Sequence, residues 1–206
     1  MLQRRFGMDY DYEKIQLKKL IIDKGLTVRK KLITLSSGRK SHTYFDIKKI
    51  SLDPVGLDLI STLMLEEVKK FGTVMSVGGL EVGAIPISTG ISMKSYQSDH
   101  KISSFYVRKQ RKEHGLKHKV EGYVREPIVI VDDVITKGDS IQQAITALRQ
   151  ERKMMLGVVT LVDRGGGKEL VKNGVKHRTI FQEKDFSREV NKKLKVLGVK
   201  PRRSEI

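Results

Sequence analysis

The chain has 206 residues, with 41 Lys+Arg against 24 Asp+Glu, a formal net charge of +17 at pH 7. It contains no cysteine, which excludes disulfides and thiolate catalysis. Apolar residues make up 38%, material for one core, and no run approaches the ~18 apolar residues of a membrane span.

The first residues, MLQRRFGMDYDYEK, have no apolar stretch of the secretory kind, so a soluble, cytoplasmic protein is expected. Residues 10–24 (YDYEKIQLKKLIIDK) place apolar side chains at helical spacing and stop at Gly25. Residues 32–35 and 43–47 read as short extended segments around the turn-forming cluster SSGRKSH. Asp53 and Pro54 open a helix as N-cap and first helical residue, and it runs to Gly72. TVMSV (73–77) reads as a buried strand ending at Gly78-Gly79, followed by a helix over about 83–93 and a strand at 101–107. Residues 108–122 (RKQRKEHGLKHKVEG) are polar and basic without apolar periodicity and read as a long mobile loop. Four β-branched residues, Ile128 to Val131, read as a buried parallel strand ending on Asp132 and Asp133. A polar loop, Thr136-Lys137-Gly138-Asp139-Ser140, leads into the helix IQQAITALR. A strand at 155–162, Asp163-Arg164, three glycines, a short helix, a strand at 178–181 and a basic helix near 184–197 complete the chain.

Strand and helix alternate from about 73 onward, the mark of a parallel α/β sheet with ligands beyond the carboxyl ends of its strands. One domain is expected over 1–206, with its core at about 51–182 and a small hood built mainly from 1–50 and the C-terminal elements.

Strand, acidic pair, small-residue loop and helix together build a site for a phosphorylated sugar. Loop amides and the helix N-terminus offer donors to a phosphate, and the acidic pair accepts from sugar hydroxyls or helps hold hydrated Mg2+. The loop is not a Walker P-loop, because G-x-x-x-x-G-K-[ST] does not occur. Arg108, Lys109, Lys112 and His114 fall within seven residues, a cationic cluster suited to a pyrophosphate leaving group. By composition alone a solvated charge run would look the same.

The run IVIVDDVITKGDS resembles the signature of type I phosphoribosyltransferases for 5-phosphoribosyl 1-pyrophosphate (PRPP). The loop 108–115, together with SSGRKSHTYFDIKK (36–49), GGLEVGAIPISTGIS (78–92) and LVDRGGG (161–167), resembles the orotate phosphoribosyltransferases within that family. The likeness covers roughly residues 12–182 and rests on five motifs in order.

It implies the type I phosphoribosyltransferase fold: a central, mostly parallel sheet flanked by helices, with a small N-terminal hood. It implies transfer of phosphoribose from PRPP to orotate, with Mg2+ as cofactor, held mainly by PRPP and with no direct protein ligand. Asp132 and Asp133 would grip the ribose hydroxyls, and Thr136, Lys137, Gly138, Asp139 and Ser140 would cradle the 5-phosphate. Arg108, Lys109, Lys112 and His114 would face the pyrophosphate, the last two reaching a neighbouring subunit's site, so a homodimer with shared sites is implied. Tyr44, Phe45 and Thr136 would border orotate, and Arg164 would fork onto its carboxylate. Lys112, His114, Asp132 and Asp133 are the implied catalytic set.

Four positions depart from the usual pattern. Ser36 and Val82 stand where many members have lysines, His42 where Pro or Asp is usual, and Asp139 inside the phosphate loop. Asp139 is expected to point outward, as a helix N-cap or toward Lys137. Neither a membrane nor a nucleic-acid partner is expected. The competing readings are a PRPP-sensing regulator that binds nucleic acid through its basic surface, and a transferase for another nucleobase.

Overall fold

The computed structural model describes residues 10–35, 37–98, 100–110 and 119–200. Helix α1 (Asp11–Leu20) runs into a π turn, Ile21–Gly25, and buries Leu17 and Ile21. Strands β1 (Leu26–Thr34) and β2 (Lys40–Phe45) form an antiparallel hairpin with a register shift between Val28 and Ile33. The sequence shows only the end of β1, because its centre, Arg29-Lys30-Lys31, is exposed and breaks any apolar pattern. A single turn, α2 (Lys48–Ser51), leads to α3 (Pro54–Lys69). Asp53 caps α3 as expected: its carboxylate accepts from the amides of Val55 (3.1 Å) and Gly56 (3.0 Å).

The rest alternates. In order come β3 (Ser76–Leu80), α4 (Ala84–Ser95), β4 (Ser103–Val107), the short β5 (Val120–Glu121) and β6 (Ile128–Ile135). Then follow α5 (Asp139–Gln150), β7 (Met155–Asp163), α6 (Gly166–Lys172), β8 (His177–Gln182), a 3-10 turn (Glu183–Phe186) and α7 (Ser187–Val196). Strands β3 to β8 form one sheet in the order β5-β4-β3-β6-β7-β8. Its pairs are parallel except β4 with β5. After β3 the chain moves outward to β4 and β5, then returns to β6 on the other side of β3. The order therefore reverses between β3 and β6, which is where an open α/β sheet forms its crevice.

The hydrogen-bond ladder shapes that crevice. Pairing of β3 with β6 ends at Gly78 opposite Ile130, whereas pairing of β6 with β7 continues to Ile135 opposite Asp163. One edge of β6 is thus held while the other opens. This corrects two expectations. Asp132 and Asp133 lie inside β6 rather than after its end, because β7 keeps the backbone extended through them. Gly78 and Gly79 lie inside β3 rather than terminating it. A Cβ on Gly78 would strike the Phe105 carbonyl oxygen; one on Gly79 would strike that of Val131 and lie 2.9 Å from Ala84 Cβ.

Both faces of the sheet are covered. One apolar cluster joins Val77, Val129, Val131 and Val159 of the sheet to Leu17, Ile21 and Phe45 of the N-terminal elements and to Val190 and Leu194 of α7. The other packs Ile141, Ile145 and Leu148 of α5 on Val107, Ile130 and Val158. Phe45 and Phe181 each meet Phe186 edge-on, with centroids at 5.1 and 5.4 Å. The hairpin is therefore packed through the 3-10 turn onto β8.

Gly79→Ala forces a methyl into the carbonyl of the neighbouring strand and should cost about 1–3 kcal/mol. Urea unfolding followed by circular dichroism reads this directly; an unchanged midpoint would contradict the close approach.

Candidate active site

Beyond the carboxyl ends of β3 and β6 lies a cavity of about 440 Å3, lined among others by Tyr44, Lys48, Glu81, Gly83, Lys109, Asp132, Asp133, Thr136 and Arg164. A second cavity of about 200 Å3 lies over the 136–141 segment, and Lys109, Asp132, Thr136 and Ser140 line both. The two therefore form one trough, with the acidic pair at its middle.

Asp132 is 7% exposed, and its Oδ1 accepts from the Asp133 amide at 2.9 Å. Asp133 Oδ1 accepts in turn from the Val134 amide at 2.8 Å. Burial, reinforced by the Asp133 carboxylate, pushes the Asp132 pKa well above the usual carboxylate range, against the pull of Lys109. Burial raises Asp133 too, opposed by its backbone hydrogen bond and by Lys48. Gly83 gives the pair room: a Cβ there would come within 2.9 Å of the Asp133 carboxylate. The pocket thus holds two carboxylates that are costly to ionise and have cations facing them.

At one end, Thr136 to Ser140 turn the chain from β6 into α5. Gly138 has φ 92°, a left-handed conformation that favours glycine, and takes the cap position of the helix. Asp139 is the first helical residue and Gly138 holds the cap position, so the expected N-cap role of Asp139 is corrected. It is exposed, and so is Lys137. The first intrahelical bond runs from the Gln142 amide to Gly138 O (2.8 Å), so the amides of residues 139–141 precede it and sit over the small cavity.

The cations do not all converge. Lys109 lines both cavities, and its amide donates to Glu81 Oε1 at 2.8 Å. Arg108 lines neither: its guanidinium faces Glu121 (3.5 Å) on β5 and the Tyr106 hydroxyl (3.4 Å). Pairing across β4 and β5 sets these contacts, which direct it away from the two cavities. Lys112 and His114 lie outside the described residues. Lys48 was missed by sequence reasoning, although it stands in the quoted segment DIKK. Val82 borders the cavity with an uncharged, 61% exposed side chain. His42 is buried in the hairpin against Arg29 O (2.9 Å) and does not reach the cavity.

At the other end, Tyr44 and Phe45 part company. Tyr44 is 36% exposed and borders the cavity; Phe45 is 5% exposed and belongs mainly to the core beside Phe186. The Arg164 guanidinium lies over the Phe45 ring, 5.2 Å from its centroid. Arg164 is buried and engaged rather than an open fork. Its Nε donates to Glu183 Oε1 (2.8 Å), and its Nη2 donates to the same oxygen (2.5 Å), Thr43 Oγ1 (2.8 Å) and Ser41 Oγ (3.1 Å). Arg39 binds Glu183 Oε2 (3.3 Å) and Arg164 O (3.0 Å). A ligand carboxylate here would share Arg164 with Glu183. Arg39 stood in the quoted SSGRKS segment; Glu183, in a short turn after β8, gave no signal.

The raised pKa of Asp132 has a consequence for stability. The folded state binds a proton more readily than the unfolded chain, so ionisation at neutral pH opposes folding and its cost falls as pH drops toward the folded pKa. Asp132→Asn removes that cost while keeping an acceptor for the Asp133 amide. Its ligand-free thermal midpoint at pH 7.5 should rise, about 2–4 °C for each kcal/mol relieved. A lower midpoint in calorimetry would contradict the desolvation account.

Residues 55–191 match the family model described as "Phosphoribosyl transferase domain". An orotate phosphoribosyltransferase of Bradyrhizobium sp. is 38% identical over 162 residues, covering 75% of this chain and 87% of that protein. One of Aquifex aeolicus is 37% identical over 175 residues, covering 82% and 95%. The crystal structure of Mycobacterium tuberculosis orotate phosphoribosyltransferase in complex with PRPP superposes with a TM-score of 0.66 at 27% identity, covering 82% of this chain and 96% of that one. A shared fold, a matching family model and relatives of nearly the same length lead to one assignment: the chain belongs to the phosphoribosyltransferase family, among the orotate phosphoribosyltransferases.

Proposed function

We propose that this chain transfers the 5-phosphoribosyl group of PRPP to orotate, giving orotidine 5-monophosphate and pyrophosphate, a step of pyrimidine biosynthesis. The observation that carries the reading is the buried Asp132–Asp133 pair midway along one trough, between an amide-rich loop and a base-sized space beside Tyr44 and Arg164. The M. tuberculosis relative solved with PRPP supports the donor.

The 5-phosphate sits over Thr136 to Ser140, where loop and first-turn amides of α5 donate to it. The ribose hydroxyls donate to Asp132 and Asp133. Orotate lies against Tyr44 with its carboxylate toward Arg164. Orotate N1 forms the bond to C1 and releases its proton to solvent. The C1–O bond breaks, and its electron pair leaves on pyrophosphate. Positive charge grows on the ribose ring near the two carboxylates, while negative charge grows on the leaving group near Lys109. Both interactions are stronger in the transition state than in the ground state, which is what accelerates a reaction. Lys112 and His114 are the further leaving-group contacts of this reading, supplied across a homodimer.

Two adjacent carboxylates at the cavity suit a hydrated Mg2+ that phosphate oxygens hold in the main. Among the described residues no cluster of three or more His, Cys, Asp or Glu forms a metal cage of its own. When bound, the ion would offset phosphate charge. No described helix is long and apolar enough to cross a membrane.

Loss of orotate absorbance in the presence of PRPP and Mg2+ tests the reading. Turnover with adenine, guanine or uracil but not orotate would reassign the acceptor. Arg164→Lys keeps the charge but loses the planar fork, so it should raise the orotate KM roughly 10-fold or more, with the PRPP KM little changed. Equal effects on both constants would remove Arg164 from the base end.

A further inference from the structure

The ribose ring fixes which end of the trough receives the leaving group. With the 5-phosphate over 136–140 and the hydroxyls on Asp132 and Asp133, C1 lies at the end of the ring away from the phosphate. That end is bordered by Tyr44, Lys48 and the 81–83 turn. A pyrophosphate there carries several negative charges and needs cations. The turn itself supplies none: Val82 is apolar, and the Glu81 carboxylate is occupied with the Lys109 amide. From the described residues, Lys109 comes from the β4 side and Lys48 from the hairpin side.

We propose that Lys48 is a pyrophosphate-binding residue, completing from the hairpin side a pair of cations with Lys109 around the leaving group. The inference rests on the phosphoribosyl-transfer reading above and goes beyond it by assigning a residue that neither motif nor spacing marked.

Three observations support it. Lys48 begins α2, directly after β2 has placed Tyr44, so its side chain rises beside the cavity. Among the described residues it makes a loose ion pair: Nζ stands 3.5 Å from Asp46 Oδ1, and that oxygen has no hydrogen bond among them. Its charge acts on Asp133, whose carboxylate also abuts Gly83 of the turn. Partial burial pulls the Lys48 pKa down, but Tyr44, Asp46 and Asp133 outweigh it and hold the ammonium above the ordinary lysine value. Lys48 is therefore charged and close to the acidic pair, with an exchangeable partner that an incoming polyanion can replace.

The test compares wild type, Lys48→Met, Lys48→Arg and Asp46→Asn. The pyrophosphate KM is read in the reverse reaction with orotidine 5-monophosphate, and pyrophosphate binding is measured separately by calorimetry with Mg2+. Lys48→Met should weaken pyrophosphate by about tenfold or more in both readouts, as expected for loss of a charge-assisted contact. The orotate KM should stay within about twofold, and Lys48→Arg should recover most of the loss. Unchanged pyrophosphate constants in Lys48→Met would overturn the assignment, as would an effect on orotate alone. An equal loss in Asp46→Asn would also overturn it, by tracing the effect to the ion pair. Should Lys48→Met not fold, Lys48→Gln is read in the same way. A wild type that neither binds PRPP nor consumes orotate would sink the function itself; an active wild type with indifferent Lys48 variants would sink this inference only.

Discussion

Two adjacent carboxylates held out of water are the constraint to which the rest of the molecule answers. Burial and mutual repulsion both oppose their ionisation, and the Asp132 pKa rises accordingly. Such a pair persists only where the scaffold imposes it. Here the β7 ladder keeps β6 extended through Asp132 and beyond, while β3 stops pairing with β6 at Gly78. The glycines fit the same constraint. Gly79 lets β3 approach Val131, and Gly83 leaves the Asp133 carboxylate room. Lys109 and Lys48 oppose the rise from facing sides. A substrate that brings hydroxyl donors, and then positive charge on its ring, relieves what the empty site tolerates.

How much of this was legible follows from what each element owes to its own residues. The buried run Ile128 to Val131, the Asp53-Pro54 helix start and the amphipathic α5 declare themselves locally, and all stand where the sequence puts them. The extent of β6 past Asp132 does not, because aspartates disfavour strands and only the partner β7 keeps them in one. The glycines of β3 look like a stop until β4 and β6 are placed against them. The turning away of Arg108 depends on β5, a strand of two residues that no periodicity can reveal. The Arg164–Glu183–Arg39 network joins residues 19 and 144 positions apart, beyond any local pattern. Motif likeness named candidate residue types; which side chains line the cavities is decided by pairing that the motifs do not encode.

The charge of +17 is not a property of the trough. Within it, Asp132, Asp133 and Glu81 face Lys48 and Lys109, and Arg164 is engaged by Glu183. Elsewhere many cations are spent in surface pairs such as Lys94 with Asp58 and Arg178 with Glu67. Exposed pairs of this kind contribute little to stability, roughly 0–1 kcal/mol each. The surplus acts at longer range, raising the local concentration of anionic substrates within about a Debye length, ~8 Å at physiological salt. It assists encounter; local geometry sets the chemistry.

On the proposed reading, the base side and the leaving-group side of the larger cavity are built differently. At the base end Arg164 is fixed by two separate segments: the hairpin, through Ser41, Thr43 and the Phe45 ring beneath it, and the turn after β8, through Glu183. An arrangement so constrained tolerates one acceptor shape, because a base lacking the matching group leaves buried donors imperfectly satisfied. At the leaving-group end the cations come singly from element termini, Lys48 from the first turn of α2 and Lys109 from just beyond β4. Lys48 is loosely paired with Asp46, and Lys109 borders both cavities, so on the proposed reading both face charge as it moves from the ring to pyrophosphate. On that reading, rigidity is placed where substrates must be told apart, and compliance where charge develops.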